Sequence, residues 1–249
     1  RSTYGLRKQY WFIILTYVLM QLSSIVGVPL LYLLGVGKGQ TPVQAKLTLT
    51  SVWSVIAFLL CLVIVLLILR TVPKTTLRNR PKASIGASVA WAVGGVFLAL
   101  FAQSIAAMIE MKLFGANPES ENTQMIMKLI QALPLMVIVS SVFGPILEEI
   151  IFRKIIFGAI YEKTNFFIAA LFSSVLFSVV HIDFSHFLIY AAMGFTFAFL
   201  YVRTNRIIVP IFAHVAMNTF VVIIQTFQGQ IQDYLERVEK VLLIIGGFL

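Results

Sequence analysis

Two adjacent carboxylates and an arginine lie inside an apolar stretch of the sequence that is long enough to cross a bilayer. They are Glu148, Glu149 and Arg153, within residues 144–153. Charged side chains at membrane depth face a protein interior or a wet cavity and find a partner, so they indicate a functional site. Glu149 and Arg153 are four residues apart and therefore share a helix face on which they can pair. Glu148 lies about 100° around the same helix and is left for other chemistry.

Glutamates in this setting are suited to general-base catalysis. A carboxylate in an apolar pocket holds a proton more tightly than it does in water, so it can accept a proton from a water molecule near neutral pH. The alternative is that Glu148, Glu149 and Arg153 form only a buried charge network that locks two helices together.

Histidines are rare in the chain, and all three lie between positions 181 and 214. His214 and Asn218 have i, i+4 spacing, so an imidazole and an amide can converge on one ligand oxygen. A His–Asn pair inside a membrane also serves as a hydrogen bond between helices, and this alternative stays open. His186 and Asp183 fall in a tight turn, where we predict solvated side chains. His181 ends the apolar segment before that turn.

The composition is that of an integral membrane protein. Hydrophobic residues make up 59% of the 249 residues and charged residues only 12%, whereas about a quarter of the residues in a soluble domain are charged. The formal charge of +9 does not indicate nucleic-acid binding, because the basic residues fall between apolar spans rather than on one face. With Cys61 as the single cysteine, an internal disulfide is excluded and a core position is expected.

The sequence predicts an all-α fold, a polytopic membrane helix bundle with seven to eight spans that enclose a polar cavity. Each span needs about 20 apolar residues. We expect the N-terminal apolar segment to be a retained span, because it is longer than the apolar core of a signal peptide. No long linker interrupts the chain, which favours a single integral membrane domain over residues 1–249 with a motif-bearing core at about 129–227. The predicted spans are residues 10–34, 49–69, 85–109, 129–161, 166–182, 187–202 and 207–227.

The basic residues predict an orientation. Thirteen of the nineteen Lys and Arg residues lie on one side if the N-terminus is cytoplasmic, so the positive-inside rule favours that topology in the cytoplasmic membrane. After the seventh span, residues 230–240 alternate charged and apolar side chains and precede nine apolar residues, too few to span. We predict an amphipathic helix at the interface, with the start of an eighth helix as the alternative. The oligomeric state stays open.

The candidate residues form an ordered set of three motifs on successive predicted spans. They are Glu148-Glu149-x-x-x-Arg153, Phe177-x-x-x-His181 and His214-x-x-x-Asn218. Together they resemble the signature of the CPBP family, also called the Abi or CAAX-protease-and-bacteriocin-processing family, whose best known members are type II CAAX prenyl endopeptidases. The resemblance covers roughly residues 139–221, about a third of the chain, and looks like that of a bacterial member.

The resemblance implies an intramembrane endopeptidase that acts on a membrane-associated protein or peptide in the lipid bilayer. In such an enzyme Glu148 would be the general base that activates a water, and His181 would help to hold that water. His214 and Asn218 would stabilise the oxyanion that forms when the water attacks a peptide carbonyl. Losing one oxyanion donor typically slows such a reaction by about 10²–10³.

The resemblance leaves the cofactor open. It implies supporting or substrate-orienting roles for Glu149 and Arg153, and it allows both a metal-free and a metal-assisted mechanism. A zinc ion would need three protein ligands and an open position, which Glu148, His181 and His214 are able to supply. No His-Glu-x-x-His motif is present to decide between the two.

Straight helices would not bring these residues to one depth. His181 falls near the outer end of its span, whereas Glu148 and His214 fall nearer the middle, which gives an offset of order 10 Å at about 1.5 Å per residue. Assembly of the site therefore requires that the fifth helix be displaced or tilted, or that its boundaries differ from the predicted ones.

Two other function classes are compatible with the sequence. One is a catalytically silent membrane scaffold or bacteriocin-immunity protein that acts by binding a partner. The other is a proton-coupled transporter with Glu148 and Glu149 as a relay, which predicts inverted repeats. We find no such repeats in the sequence.

Overall fold

The computed structural model describes residues 7–73, 76–117 and 120–246, and these residues form helices and connections without a β-strand. This confirms the predicted all-α, polytopic helix bundle. The longer helices are α1 Lys8–Leu22, α2 Ser24–Leu33, α3 Pro42–Arg70, α4 Ile85–Phe114 and α5 Glu121–Ala132 in the first half of the chain. The second half contains α6 Met136–Ile138, α7 Gly144–Glu148, α8 Gly158–Tyr161, α9 Phe166–Val180, α10 Phe187–Thr204, α11 Ile208–Thr226 and α12 Gln228–Gly246.

Two π-helical stretches, Val139–Phe143 and Glu149–Phe157, join α6, α7 and α8 into one continuous helical element. We call residues 136–161 the motif segment, because this element carries Glu148, Glu149 and Arg153. Single short π-turns are frequent at functional sites, and a π-helical run of nine residues is unusually long. Short 3₁₀ turns at Leu77–Asn79 and Phe184–His186 lie in the connections before α4 and α10.

The two longest helices are delimited by local sequence signals. Thr41 caps α3 in a capping box with Gln44, and Pro42 occupies the first helical position, where its missing N–H leaves no bond unmade. Helix α4 ends at Gly115, which has the left-handed φ of 64° that glycine adopts without strain. Both helices are a few residues longer than the predicted spans 49–69 and 85–109.

The first predicted span, residues 10–34, is bent by 46° between α1 and α2. The break lies at Ser23, whose hydroxyl donates to the Met20 carbonyl at 2.6 Å and accepts from Trp53 Nε1 at 2.9 Å. A serine that bonds back to the preceding turn competes with the helical hydrogen bonds. The bend therefore follows from a polar contact between α1 and α3.

The predicted span 129–161 is wrong at its start. Residues 129–132 belong to the amphipathic helix α5, which ends where Leu133 turns extended at φ −149°. The next residue is Pro134, and a proline disfavours helical geometry in the residue before it. The motif segment therefore begins at Met136 and is a separate element from α5.

Length and hydropathy alone identify four membrane-spanning helices in the described part of the chain, or five if α1 and α2 count as one bent span. Outward-facing side chains on them are apolar, as at Leu60 and Phe97, which suits contact with lipid tails. Helix α9 is also apolar but has only 15 residues. The protein is thus a multi-pass membrane protein, and the total of seven or eight spans stays a prediction.

Helices α3, α9, α10 and α11 pack against the motif segment. Helices α9 and α10 approach closely at Gly194, where an added Cβ would lie 2.4 Å from the Ser174 hydroxyl. A glycine is therefore required for this approach. Cys61 is buried and free, as the sequence predicts.

The predicted amphipathic tail is confirmed as a helix. Helix α12 continues directly from α11, and its side chains are exposed at Tyr234 and Leu235. Its place at the membrane interface stays a prediction. The prediction of a cytoplasmic N-terminus concerns residues 1–6, and the predicted tail ends with residues 247–249. Both ranges lie outside the described residues.

Candidate active site

Pro145 interrupts the backbone hydrogen bonding of the motif segment. The Gly144 N–H bonds to the carbonyl of Val139, five residues back. The same pattern would pair the next carbonyl, that of Ser140, with residue 145, but proline has no N–H. Asn218 of α11 takes that place and donates from Nδ2 to the Ser140 carbonyl at 3.2 Å. The missing donor in one helix is thus supplied by a side chain of another.

Glu149 lies at the centre of a buried charge cluster. Its Oε1 lies 2.9 Å from His214 Nδ1 and 3.4 Å from Arg153 Nη1. Glu149 and Arg153 are fully buried and His214 is 1% exposed. The predicted pairing of Glu149 with Arg153 is confirmed, and the structure adds His214 as a second partner of the same carboxylate oxygen.

His214 lies between the two glutamates of the motif. Its Nε2 lies 3.7 Å from Glu148 Oε2, while its Nδ1 bonds to Glu149. A separation of 3.7 Å is too long for a hydrogen bond. Glu148 is also the more accessible of the two, with 16% of its side chain exposed against 0% for Glu149. The two carboxylates therefore have different environments: Glu149 is tied to its partners, and Glu148 is accessible.

Aromatic rings enclose the guanidinium of Arg153. Its central carbon lies 4.2 Å from the ring centroid of Phe177 and 5.4 Å from that of Phe197. The face of an aromatic ring attracts a cation, most strongly where water is excluded. Phe197 also stacks on His214 with centroids 4.6 Å apart. The phenylalanine of the second motif thus packs against the arginine of the first.

His181 reaches the same site from the end of α9. Its Nδ1 lies 2.7 Å from the carbonyl of Phe177, and Phe177 in turn lies 6.0 Å from the His214 ring. The His181 ring also packs against the ring of Phe177, with centroids 4.6 Å apart. The expected 10 Å offset in depth does not separate the residues, because α9 is short and ends at Val180 beside the site.

Tyr190 is a residue of this site that the sequence analysis missed. Its ring stacks on His181 with centroids 4.1 Å apart and an interplanar angle of 24°. Its hydroxyl accepts a hydrogen bond from Asn122 Nδ2 at 3.3 Å. Tyr190 follows His181 by nine residues across a turn, so no helical spacing in the sequence pairs the two.

The prediction that Asp183 and His186 are solvated is wrong. They are 6% and 4% exposed, and His186 Nδ1 lies 2.9 Å from Asp183 Oδ1. Ser120 donates to the other Asp183 oxygen at 2.6 Å, and the Asn117 carbonyl lies 2.8 Å from His186 Nε2. Asn117 and Ser120 of the connection between α4 and α5 therefore cover the turn and remove it from solvent.

A second tyrosine near the motif lies on α1. Tyr17 is buried and packs edge-on against Phe152, with ring centroids 6.4 Å apart. Gln21 Nε2 donates to its hydroxyl at 3.1 Å, which leaves the phenolic proton for another acceptor. Helix α1 lies far from the three motifs in sequence, and a lone tyrosine in an apolar span carries no signal that could have identified it.

The side chains do not fit the zinc site that the sequence analysis offered as an alternative. Among residues 7–73, 76–117 and 120–241, no group of three His, Cys, Asp or Glu side chains is placed to hold a metal ion. Zinc needs three such ligands at about 2.0–2.2 Å. Glu148, His181 and His214 do not form such a set.

Comparison with known proteins identifies the family. Residues 130–220 match the profile described as type II CAAX prenyl endopeptidase, Rce1-like. The putative membrane peptidase YdiL of Bacillus subtilis is 62% identical over 243 residues, which cover 97% of this chain and 99% of that protein. The chain belongs to the Rce1-like CAAX prenyl endopeptidase family. This confirms the family that the three motifs predicted.

Two further relatives of this Rce1-like protein are more distant. The membrane-embedded CAAX protease MroQ of Staphylococcus aureus is 36% identical over 143 residues, 55% of this chain and 58% of that protein. The UPF0177 protein YxdF of Lactococcus lactis is 30% identical over 133 residues, 52% of this chain and 73% of that protein. No solved structure matches the chain. The Rce1-like match spans all seven motif residues named above, from Glu148 to Asn218.

Proposed function

We propose that the protein is an intramembrane endopeptidase that hydrolyses peptide bonds of membrane-associated proteins or peptides with a water activated by Glu148. The observation that carries the proposal is the position of His214, held by Glu149 at 2.9 Å and facing the accessible Glu148 at 3.7 Å. A fixed imidazole beside a free carboxylate within an apolar bundle supports acid–base chemistry better than a purely structural charge network.

His181 is suited to hold the water. Because a carbonyl oxygen only accepts, the bond to Phe177 places the proton of His181 on Nδ1. In the neutral imidazole Nε2 is then an acceptor, which can take a hydrogen bond from the water while Glu148 takes the other. This geometry turns the oxygen lone pair of the water away from both residues and towards a substrate carbonyl.

In the reaction Glu148 accepts one proton from the water, and the oxygen forms a bond to the carbonyl carbon. The carbonyl π electrons move to its oxygen, which becomes the oxyanion. Collapse of this intermediate breaks the C–N bond, and Glu148 returns the proton to the leaving amine. The step needs no further reactant, and Glu148 ends as the carboxylate it was at the start.

His214 and Asn218 stabilise the oxyanion in this scheme. Glu149 accepts from His214 Nδ1, and donation from Nε2 to the oxyanion requires that the imidazole carry a second proton there, on the side of Glu148. Negative charge moves from Glu148 to the oxyanion, and Nε2 faces the region in which this transfer takes place. Such donors, fixed before reaction, stabilise developing charge without reorganisation. The Asn218 amide has a second N–H beyond the one bonded to Ser140.

Charge balance supports the same assignment. Glu148, Glu149, Arg153 and a protonated His214 sum to zero, which suits a cluster buried in an apolar bundle. An unbalanced buried charge would cost several kcal/mol. Arg153 touches no reacting atom in this scheme. It is a positioning residue that holds Glu149 against His214.

The test is cleavage of a quenched fluorescent peptide library by the purified protein in liposomes. Glu148→Gln keeps the size of the side chain and should slow turnover by about 10²–10⁴-fold, the usual contribution of a general base. Glu236→Gln, on the exposed helix α12, is the matched control and should cleave like the parent. Undiminished cleavage by Glu148→Gln would overturn the assignment of the base.

The same variants separate a protease from a silent scaffold. In a strain that lacks the gene, the parent and Glu236→Gln should restore the phenotype, and Glu148→Gln should not. Full restoration by Glu148→Gln would favour the scaffold or immunity protein.

A further inference from the structure

A second polar cluster lies at the other end of α10, away from the turn at Asp183, where the α10–α11 turn meets the connection before α4. Asn205 has a left-handed backbone with φ 53° and is 7% exposed. Its Oδ1 accepts from the Leu77 N–H at 2.8 Å, and its Nδ2 donates to the carbonyls of Leu77 at 3.2 Å and Arg80 at 2.9 Å. Three hydrogen bonds from one side chain thus fix the path of the connection.

Two more bonds close the same junction. The Ala83 N–H donates to the Thr204 carbonyl at 2.9 Å, and Arg206 Nε donates to the Ala83 carbonyl at 2.9 Å. The Arg206 guanidinium is therefore held in place by backbone contacts. A basic group fixed in this way loses less conformational entropy when it binds an anion.

A cavity of about 180 Å³ opens at this junction, and three cations line it: Lys82, Lys154 and Arg206. The other lining residues are Tyr201, Asn205, Ile207 and Ile208, so the lining contains no carboxylate. The volume is below the roughly 300–1,000 Å³ of pockets that enclose a whole small molecule. It suits one anionic group rather than an entire ligand.

The three cations that line this basic pocket repel one another. Lys82 precedes α4 and Lys154 lies on the motif segment, yet both line the same cavity together with Arg206. Like charges gathered around one cavity raise the local concentration of an anion there. Such a site gains affinity for phosphate or carboxylate groups from the relief of this repulsion.

We propose that the basic pocket binds the phosphate of an anionic phospholipid. Ile208, at the rim, is 61% exposed, so the pocket opens beside an apolar surface suited to acyl chains. The pocket also lies at the end of the bundle that the basic residues assign to the cytoplasm, where the leaflet is anionic. Basic pockets between membrane helices on that side are suited to lipid headgroups. This inference is independent of the proteolytic function.

The test is native mass spectrometry of the full chain in detergent, titrated with phosphatidylglycerol and, separately, with zwitterionic phosphatidylcholine. The parent should retain phosphatidylglycerol preferentially. Lys82→Gln and Lys154→Gln should each weaken this binding about fivefold, as expected for one basic contact at a membrane surface. Arg70→Gln, an exposed cation at the end of α3, removes the same charge outside the pocket and should bind like the parent.

Lys82 is exposed, so Lys82→Gln is expected to fold. This variant keeps the test valid even if Lys154→Gln fails to fold. Equal phosphatidylglycerol binding by Lys82→Gln and Arg70→Gln would overturn the proposal. Inorganic phosphate that raises the unfolding temperature as much as phosphatidylglycerol does would assign the pocket to free phosphate instead. A third outcome is that the lysine variants bind lipid like the parent but cleave peptides with a free C-terminal carboxylate more slowly, while amidated peptides are cleaved as before. This result would assign the pocket to the substrate and would also overturn the proposal.

Discussion

The Nδ1 atom of His214 lies 2.9 Å from Oε1 of Glu149, so the second glutamate of the motif is bound to an imidazole of another helix. The same Glu149 oxygen lies 3.4 Å from Arg153. One buried carboxylate therefore links a cation of its own helix to an imidazole of another. The two glutamates, adjacent in sequence, should respond differently to the same substitution.

Glu149→Gln should both destabilise and inactivate the protein. The amide keeps the volume but leaves Arg153 and His214 without their counter-charge, and breaking such a buried pair typically costs about 3–5 kcal/mol. Glu148→Gln should inactivate without a comparable loss of stability, because Glu148 is partly exposed. Thermal unfolding in detergent together with peptide cleavage measures both effects. Equal unfolding temperatures for the two variants would contradict the distinct roles.

Asn218→Ala should lower stability and activity for separable reasons. It leaves the Ser140 carbonyl without its partner, which costs about 1–3 kcal/mol if the group is shielded from water, and it removes an oxyanion donor worth about 10²–10³ in rate. Adding Pro145→Ala provides a backbone N–H near that carbonyl. The double variant should regain unfolding temperature but not turnover. Recovery of both would show that Asn218 acts only through the backbone.

Tyr190 should act by positioning His181. Tyr190→Ala removes the ring that stacks on the imidazole, and misplacement of a group by about 1 Å can slow catalysis by about 10²-fold. Tyr190→Phe keeps the stack and loses the hydroxyl contacts to Asn122 and Ser120, so kcat should stay close to that of the parent. Tyr234→Ala, on exposed α12, is the control. A decrease in kcat for the Phe variant equal to that for the Ala variant would instead assign a role to the hydroxyl.

The Asp183 carboxyl predicts a pH dependence of stability. Burial acts to raise its pKa, but hydrogen bonds from Ser120 and His186 outweigh burial and hold the pKa below its ordinary value of about 3.9. A carboxyl group whose pKa is lowered by folding stabilises the folded state at pH values above its unfolded pKa. This contribution is lost as the pH falls through the folded pKa. The parent should therefore exceed Asp183→Asn in unfolding temperature at about pH 6, and the difference should shrink towards about pH 3. A constant difference would contradict the pairing.

Chelation tests the role of metal directly. Because no three donor side chains are placed for a metal ion in the described part of the chain, EDTA should leave cleavage unchanged, and the purified protein should contain no stoichiometric zinc by elemental analysis. Activity that is lost with EDTA and restored by zinc would support the metal-assisted alternative.

The sequence was most informative where spacing alone determines contact. Glu149 and Arg153 pair as their i, i+4 spacing predicts, and the three motifs come together as their order suggests. The π-helical winding at Glu149–Phe157 was not predictable, because no residue type marks it and it depends on the packing of neighbouring helices. Asp183 and His186 were misjudged because their burial depends on the distant residues Asn117 and Ser120. Pro145 is visible in the sequence, but Asn218 of α11, which donates to the carbonyl that Pro145 leaves unpaired, is found only in three dimensions.

The distance along the chain between the members of the charge cluster has a consequence for biosynthesis. Arg153 follows Glu149 by one helical turn, so the two can neutralise each other as soon as the motif segment has been made. His214 is synthesised 65 residues later. A nascent chain in the membrane therefore lacks the His214–Glu149 contact until residue 214 has been synthesised. The order of translation therefore allows the Glu149–Arg153 pair to form before the His214 contact that completes the cluster.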